Sequence, residues 1–115
     1  MITITLKRSP NGYIRSFTAS GHAGYASEGS DDIICAAITA IAATTVGSLT
    51  DIANLPIIHQ MTDGFITCTT PEPEEMPSGQ YLIAKTLMDS LSLGCRQIEN
   101  SYGRKYVRVI DQIDD

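Results

Sequence analysis

The 115-residue sequence contains no tryptophan, only 3 cysteines, and 8 basic residues against 13 acidic ones. Its net charge of −5 argues against direct nucleic-acid binding, which depends on Lys and Arg side chains that neutralise phosphates. An odd number of cysteines without a C-x-x-C pair argues against a disulfide framework and a structural zinc site. The glycines from Gly21 to Gly29 lack the spacing and the lysine of a phosphate-binding loop. The sequence therefore predicts neither a metal nor a cofactor.

The sequence also has little that is typical of a membrane or secreted protein. Its first residues, MITITLKRSP, lack the basic stretch and apolar run of a secretory leader. The most apolar stretch, Ile33 to Leu49, is interrupted by threonine, serine and glycine and is shorter than the ~20 residues of a membrane span. We therefore expect a cytoplasmic protein with reduced thiols and no membrane partner.

The composition is that of a folded globular chain. Hydrophobic residues make up 43% of the sequence and charged residues 18%. This length suits one domain, which we place at residues 1–110. The acidic residues 111–115 are expected to form a frayed tail.

The chain begins with the pattern of a β-hairpin. Ile2, Ile4 and Leu6 alternate with polar residues, which is the period of a half-buried strand. Asn11-Gly12 favours a tight turn because both residues tolerate positive φ. Residues 13–20 are predicted to form the second strand.

The rest of the pattern predicts two helices and three further strands. Asp32 is a typical N-cap for a helix that runs to about Asn54. A second helix is predicted at 78–93, and Gly94 is predicted to end it. The further strands are predicted at 57–61, 65–70 and 104–110, the first two flanking an Asp63-Gly64 turn. The order β-β-α-β-β-α-β predicts an α+β domain, with two helices packed on one face of a mostly antiparallel sheet.

Cys35 and His22 are the candidate catalytic residues. Cys35 is in the first turn of the predicted helix, where free amides and the helix dipole stabilise a thiolate or an oxyanion. His22 lies where the second strand enters the glycine-containing loop, so both side chains can meet at one end of the sheet. An imidazole there could move protons for a cysteine nucleophile.

Two questions stay open at this level. The carboxylates of Asp32 and Asp31 would oppose thiolate formation unless one of them orients His22. Cys35 is also compatible with an inert place in the core, since cysteine often behaves as a small hydrophobe. Cys68 and Cys95 are expected to be packed thiols, and His59 a surface imidazole.

One segment resembles the ribosomal-processing cysteine proteases. The tripeptide Gly21-His22-Ala23, a glycine-containing loop, and the helix start Asp32-Ile33-Ile34-Cys35-Ala36 are similar to that family's signature. The resemblance implies that His22 and Cys35 form the catalytic pair, with Asp32, or its neighbour Asp31, as the residue that orients the imidazole. The positions that would contact substrate are Gly21, Ala23, Gly29 and Thr39.

The resemblance also implies a substrate and an assembly. Such enzymes remove a short N-terminal extension from a large-subunit ribosomal protein, and phage-encoded relatives act on capsid or scaffold proteins. They are homodimers, which agrees with a predicted helix whose apolar and small residues extend around most of its circumference. A ribosome-associated module that binds peptide without cutting it, and a thiol redox sensor, are the alternatives from other functional classes.

This sequence departs from the family pattern at two points. The spacing from His22 to Cys35 is one residue longer than usual, and Thr39 replaces a common serine. Threonine keeps the hydroxyl and adds a methyl group, so these departures bear on the identity of the substrate more than on the chemistry.

Overall fold

A computed structural model describes residues 1–24 and 32–113 of the chain. Its elements are β1 (Ile2–Arg8), β2 (Ile14–Ser20), α1 (Ile33–Gly47), β3 (Ile58–Thr62), β4 (Phe65–Thr69), α2 (Ser78–Tyr102) and β5 (Val107–Ile113). A π-helical turn, Ser48–Ile52, continues α1, and a 3-10 turn, Pro73–Glu75, precedes α2. The strand order in the sheet is β3-β4-β2-β1-β5. The predicted element order and the α+β fold class are therefore confirmed.

Three of the four strand pairs are antiparallel, and the β1–β5 pair is parallel. We call the end of the sheet where β2 finishes and β4 starts the site end, since Ser20 pairs with Phe65 there. The opposite end, which holds the turn between β1 and β2, is the far end. The first residue of α1 and the β3–β4 turn both follow strands that finish at the site end.

The core lies between the sheet and the two helices. Ile2, Ile4 and Leu6 of β1 are buried, whereas the threonines between them are only half-buried. This alternation follows from the pleat of a strand, which points successive side chains to opposite faces. On the helices, the buried residues recur every three or four positions: Ile34, Ile38 and Ala42 on α1, and Ala84, Met88 and Leu91 on α2.

The helical segment Ile33–Ile52 is longer than the apolar stretch seen in the sequence. Its 20 residues would suffice, by length and composition alone, to cross a membrane, so the expectation that it is too short for a span was wrong. In the structure its buried side chains belong to the core, and α1 packs against α2. One face of this helix therefore packs inside the domain, and the other residues of the helix are exposed or half-buried.

The predicted end of the second helix was wrong. α2 continues through Gly94 to Tyr102 and ends at Gly103, whose φ is 101°. A Cβ on Gly94 would lie 3.2 Å from Cδ1 of Ile41, so this glycine allows α1 and α2 to approach each other closely. Tertiary packing therefore explains a glycine that looks like a helix terminator in the sequence.

The predicted fraying of 111–115 was wrong for residues 111–113. These residues lie in β5, which runs parallel to β1 as far as the pair Arg8 and Ile113. The carboxylate of Asp111 accepts hydrogen bonds from Arg8 (2.7 Å) and Arg96 (2.5 Å). The side chain of Asp111, which the sequence predicts to be solvated, thus links β5 to β1 and α2. Residues 114–115 lie outside the described residues.

Candidate active site

A cavity of 330 Å³ opens at the site end of the sheet. It lies between the start of α1 and the β3–β4 turn, and both His22 and Cys35 line it. The other lining residues are Ile2, Ala19, Gly21, Ile38, Thr39, Met61, Thr62, Asp63, Gly64, Phe65 and Ile66. The structure thus brings the two predicted catalytic residues to one cavity, with mostly apolar walls.

The position of Cys35 is set by the cap of α1. Asp32 has an extended backbone, and its Oδ1 accepts hydrogen bonds from the amides of Ile34 and Cys35, both at 3.0 Å. The predicted N-cap is therefore confirmed. Because the carboxylate occupies both amides, they are not free to hold an oxyanion, which corrects the expectation from the sequence.

The amide of Ala23 reaches Cys35 from the other side. Its N–H donates to Sγ at 3.3 Å, so the residue after His22 touches the candidate nucleophile directly. The amide dipole favours the charged form of the sulfur. This contact ties the chain that leaves β2 to the first turn of α1.

Burial raises the pKa of the Cys35 thiol above its ordinary value. The Ala23 hydrogen bond lowers this pKa, whereas the hydrogen bond and the charge of Asp32 raise it. The effect of the carboxylate, which the sequence left open, therefore opposes the thiolate in this structure. Burial and Asp32 therefore both favour the neutral thiol over the thiolate.

His22 is fixed by backbone contacts on both sides. The amide of Gly21 donates to the carbonyl of Gly64 at 2.9 Å, and the amino group of Met1 donates to the carbonyl of His22. The imidazole is exposed, and its Nε2 lies 2.8 Å from the place where a Cβ on Gly64 would be. Within the described residues, the Cys35 thiol has its hydrogen-bond partners in Ala23 and Asp32, and not in the imidazole.

The other predicted site positions divide into two groups. Gly21 and Thr39 line the cavity, and Ala23 is the buried neighbour of the sulfur. Thr39 is four residues after Cys35 and therefore lies on the same side of α1. Gly29 and Asp31 lie outside the described residues.

The remaining cysteines lie away from the cavity. Cys68 in β4 and Cys95 in α2 are buried, and burial raises their pKa values to about 12 and about 11. His59 is exposed on β3, in register with Cys68. Among residues 1–24 and 32–113, no group of three or more His, Cys, Asp or Glu side chains is arranged to hold a metal ion.

Sequence reasoning missed the wall of the cavity that the β3–β4 turn provides. Residues 61–65 line it, although they are about forty positions from His22 in the chain. The Asp63-Gly64 pair was identified only as a turn, since nothing local in the sequence reports which strand will lie beside it. The antiparallel pairing of β2 with β4 creates this contact.

The chain matches known proteins over nearly its whole length. Residues 1–108 match the family described as cysteine protease Prp. A relative from Bacillus subtilis (strain 168), named ribosomal processing cysteine protease Prp, is 30% identical over 104 residues, which cover 89% of this chain and 90% of the relative.

Solved structures share the fold. The ribosomal processing protease Prp from S. aureus, in complex with a covalently linked product peptide, superposes with a TM-score of 0.81 at 18% identity, covering 97% of this chain and all of that one. A Streptococcus mutans protein gives a TM-score of 0.77 at 23% identity, covering 99% and 96%. The family match covers almost all of the sequence, and Cys35 lies in the first turn of the helix that Asp32 caps. This chain therefore belongs to the Prp family of cysteine proteases.

Proposed function

We propose that the protein removes a short N-terminal extension from a large-subunit ribosomal protein, with Cys35 as nucleophile and His22 as general acid and base. The observation that supports this most directly is the cavity that both side chains share. The B. subtilis relative is named for ribosomal processing, and a second S. aureus Prp structure contains a substrate peptide. Both agree with a peptide substrate.

The reaction is a two-step acyl transfer. The imidazole of His22 takes the Sγ proton as the sulfur attacks the scissile carbonyl carbon, and it then donates that proton to the leaving amine. This step breaks the peptide C–N bond and forms a thioester on Cys35. Water then attacks the thioester, giving up its proton to His22, and the sulfur leaves and is reprotonated.

The raised pKa of Cys35 bears on the first step. A thiol that burial and Asp32 keep protonated is a weak nucleophile at neutral pH, so attack needs a base at the moment of reaction. The exposed imidazole in the same cavity supplies one. We therefore assign His22 the role of base in acylation, in preference to a resting thiolate–imidazolium pair.

The amide of Ala23 is the donor best placed to stabilise the tetrahedral oxyanion. Its bond to Sγ is released when the sulfur bonds to the carbonyl carbon, whereas the amides of Ile34 and Cys35 stay bonded to Asp32. Asp32 acts by fixing the first turn of α1, which holds the nucleophile. Gly21 and Thr39 are proposed to contact the peptide from the cavity wall.

The proposed setting is a homodimer in the cytoplasm. Ile33 is 52% exposed at the start of α1, and Leu82 and Leu93 on α2 are about as exposed, at 62% and 60%. Apolar helix surfaces of this kind are typical of a symmetric contact between copies. Light scattering that returns a 12.4 kDa species at micromolar concentration would contradict the dimer.

The experiment that tests the function uses purified protein and an N-terminally extended large-subunit ribosomal protein. We expect mass spectrometry to show one cut that releases the extension. Cys35→Ala should leave the substrate intact, and Cys95→Ala, its matched control, should cut normally. Cleavage of a virion protein in place of the ribosomal one would identify the phage-type activity.

The same variants separate the alternatives that involve no cutting. Function that survives in Cys35→Ala would favour a peptide-binding module. Reversible oxidation of Cys35 without any cut product would favour a redox sensor. Either result would overturn the proposed protease mechanism.

A further inference from the structure

We propose that Gly64 is a positioning residue for His22, because the absence of a side chain in the turn between β3 and β4 leaves open the space that the imidazole occupies. This inference rests on the proposed role of His22 as acid and base. It assigns a function to a residue that is remote in sequence from the family motif and that would not take part in the chemistry itself.

The imidazole occupies the space that a side chain at position 64 would fill. Its Nε2, Cε1 and Cδ2 atoms lie 2.8, 3.4 and 3.5 Å from the site of a Cβ on Gly64. The ring therefore presents its Nε2 end to the turn. A separation of 2.8 Å is well inside van der Waals contact, so a methyl group there would displace the ring.

The turn is a rigid support because it is tied to the chain that carries the ring. The carbonyl of Gly64 accepts the amide of Gly21, the residue before His22, at 2.9 Å. On either side of the turn, Thr62 pairs with Phe65, and Phe65 pairs in turn with Ser20. One backbone hydrogen bond and two strand pairs thus fix the turn relative to the backbone that carries His22.

The expected effect of a side chain falls on the ring and not on the fold. His22 is exposed and can rotate away from a new methyl group, so little of the core would need to move. The moved imidazole, however, would take a different place in the cavity that it shares with Cys35, and proton exchange between the two side chains would be slower. Small displacements of a reacting group reduce rates steeply, and about 1 Å can cost about a hundredfold.

The chain offers a matched control at Gly12. Its φ of +91° resembles the +75° of Gly64, and a Cβ there would meet nothing within 4 Å. Both glycines occupy turns between antiparallel strands, so alanine introduces similar backbone strain at both. Only the alanine at position 64 would meet the imidazole.

The first experiment compares Gly64→Ala with Gly12→Ala on a synthetic peptide that spans the extension junction of the ribosomal protein. We expect Gly64→Ala to lower kcat about tenfold or more and to leave KM within about twofold. Gly12→Ala should change both by less than about twofold. Equal kcat values in the two variants, or a raised KM with an unchanged kcat in Gly64→Ala, would overturn the proposal. The latter result would make Gly64 a substrate contact.

The second experiment is a double-mutant cycle with His22→Ala, read as kcat for cleavage of the same peptide across pH 6–8. Gly64→Ala alone should move this pH profile toward that of His22→Ala. In the His22→Ala background it should have no further effect. A further change in that background would show that Gly64 acts through another group, and would overturn the inference while leaving the proposed function intact. Full cleavage by His22→Ala would instead overturn both.

A further pair of variants covers the case in which alanine prevents folding. Asparagine tolerates positive φ better than alanine and still carries a Cβ. Gly64→Asn and Gly12→Asn should therefore reproduce the same contrast in kcat with smaller changes in Tm. Loss of that contrast in two folded asparagine variants would overturn the proposal.

Discussion

The polar side chains at the two ends of the sheet differ in what they contact. At the far end, the buried hydroxyl of Tyr13 and the hydroxyl of Thr70 share a hydrogen bond of 2.6 Å, and Asp111 is held between two arginines. At the site end, the imidazole of His22 is exposed beside a cavity, and the Cys35 thiol faces the same space.

The difference shows how one small sheet serves both stability and chemistry. Hydrogen bonds between side chains at the far end hold strands and helix together, and burial strengthens the one between Tyr13 and Thr70. Polar groups at the site end are held mainly through backbone contacts, so their side chains are available to a substrate. Variants at the two ends should therefore divide cleanly between effects on rate and effects on stability.

The largest expected effect is that of His22→Ala on cleavage. Loss of the acid–base group should lower kcat about 10²- to 10⁴-fold, while an exposed side chain contributes no more than about 1 kcal/mol to the free energy of unfolding. Tyr13→Phe is the far-end counterpart. It should lower stability by about 1 kcal/mol through loss of the Thr70 hydrogen bond and keep full activity.

Peptide cleavage kinetics and urea unfolding of both variants measure this contrast. Loss of stability in His22→Ala comparable to that in Tyr13→Phe would remove the distinction between the two ends.

The three cysteines provide the next test. Cys35 should react with iodoacetamide near neutral pH at least about a hundredfold faster than Cys68 and Cys95, because only the thiolate reacts and the other two are buried with more strongly raised pKa values. Peptide mapping after a short pulse reads all three sites. Equal labelling would mean that Cys35 is no more accessible than the core thiols.

A smaller effect is expected from Asp32→Asn. Asparagine caps a helix about as well as aspartate, so the first turn of α1 should persist. Removal of the charge should lower the pKa of Cys35, since that charge raises it, and alkylation at pH 7 should become a few times faster. A slower reaction would show that Asp32 instead supports the imidazole.

The smallest effect concerns the far end. Burial raises the pKa of Asp111, but hydrogen bonds from Arg8 and Arg96 outweigh it and hold that pKa below its ordinary value of 3.8. A depressed pKa means that the stabilisation is present at neutral pH and is lost as the pH falls below about 4. Asp111→Asn should therefore cost about 0.5–1 kcal/mol at pH 7, as for other partly exposed ion pairs, and less in acid. Thermal unfolding across pH 3–7 tests this, with cleavage activity unchanged.

The elements of the fold could be predicted from local patterns where those patterns decide the structure. Strand alternation, the Asn11-Gly12 turn and the Asp32 cap each depend on a few neighbouring residues. Gly94 and the 111–113 segment could not be placed in this way. The first depends on contact with Ile41 and the second on arginines from β1 and α2.

The candidate site was predictable to a similar extent. His22 and Cys35 lie close together in the sequence and flank one loop, so their convergence follows from a strand end and a helix start. The occupied amides of the first helical turn and the contribution of Ala23 depend on side-chain geometry. The wall made by the β3–β4 turn depends on strand order, which local pattern does not specify.

The parallel pairing of the first strand with the last has a consequence for the order in which the molecule folds. Ile2 pairs with Val107, and its amide donates to the carbonyl of Tyr106 at 2.8 Å, so assembly of β1 with β5 closes a loop of nearly the whole chain. Contacts this distant in sequence form late and slow folding. Since Ile2 also lines the cavity, the β1–β5 pair supports one wall of the site. Exchange of the Ile2 amide with solvent deuterium would thus report how often the last strand separates from this wall, without global unfolding.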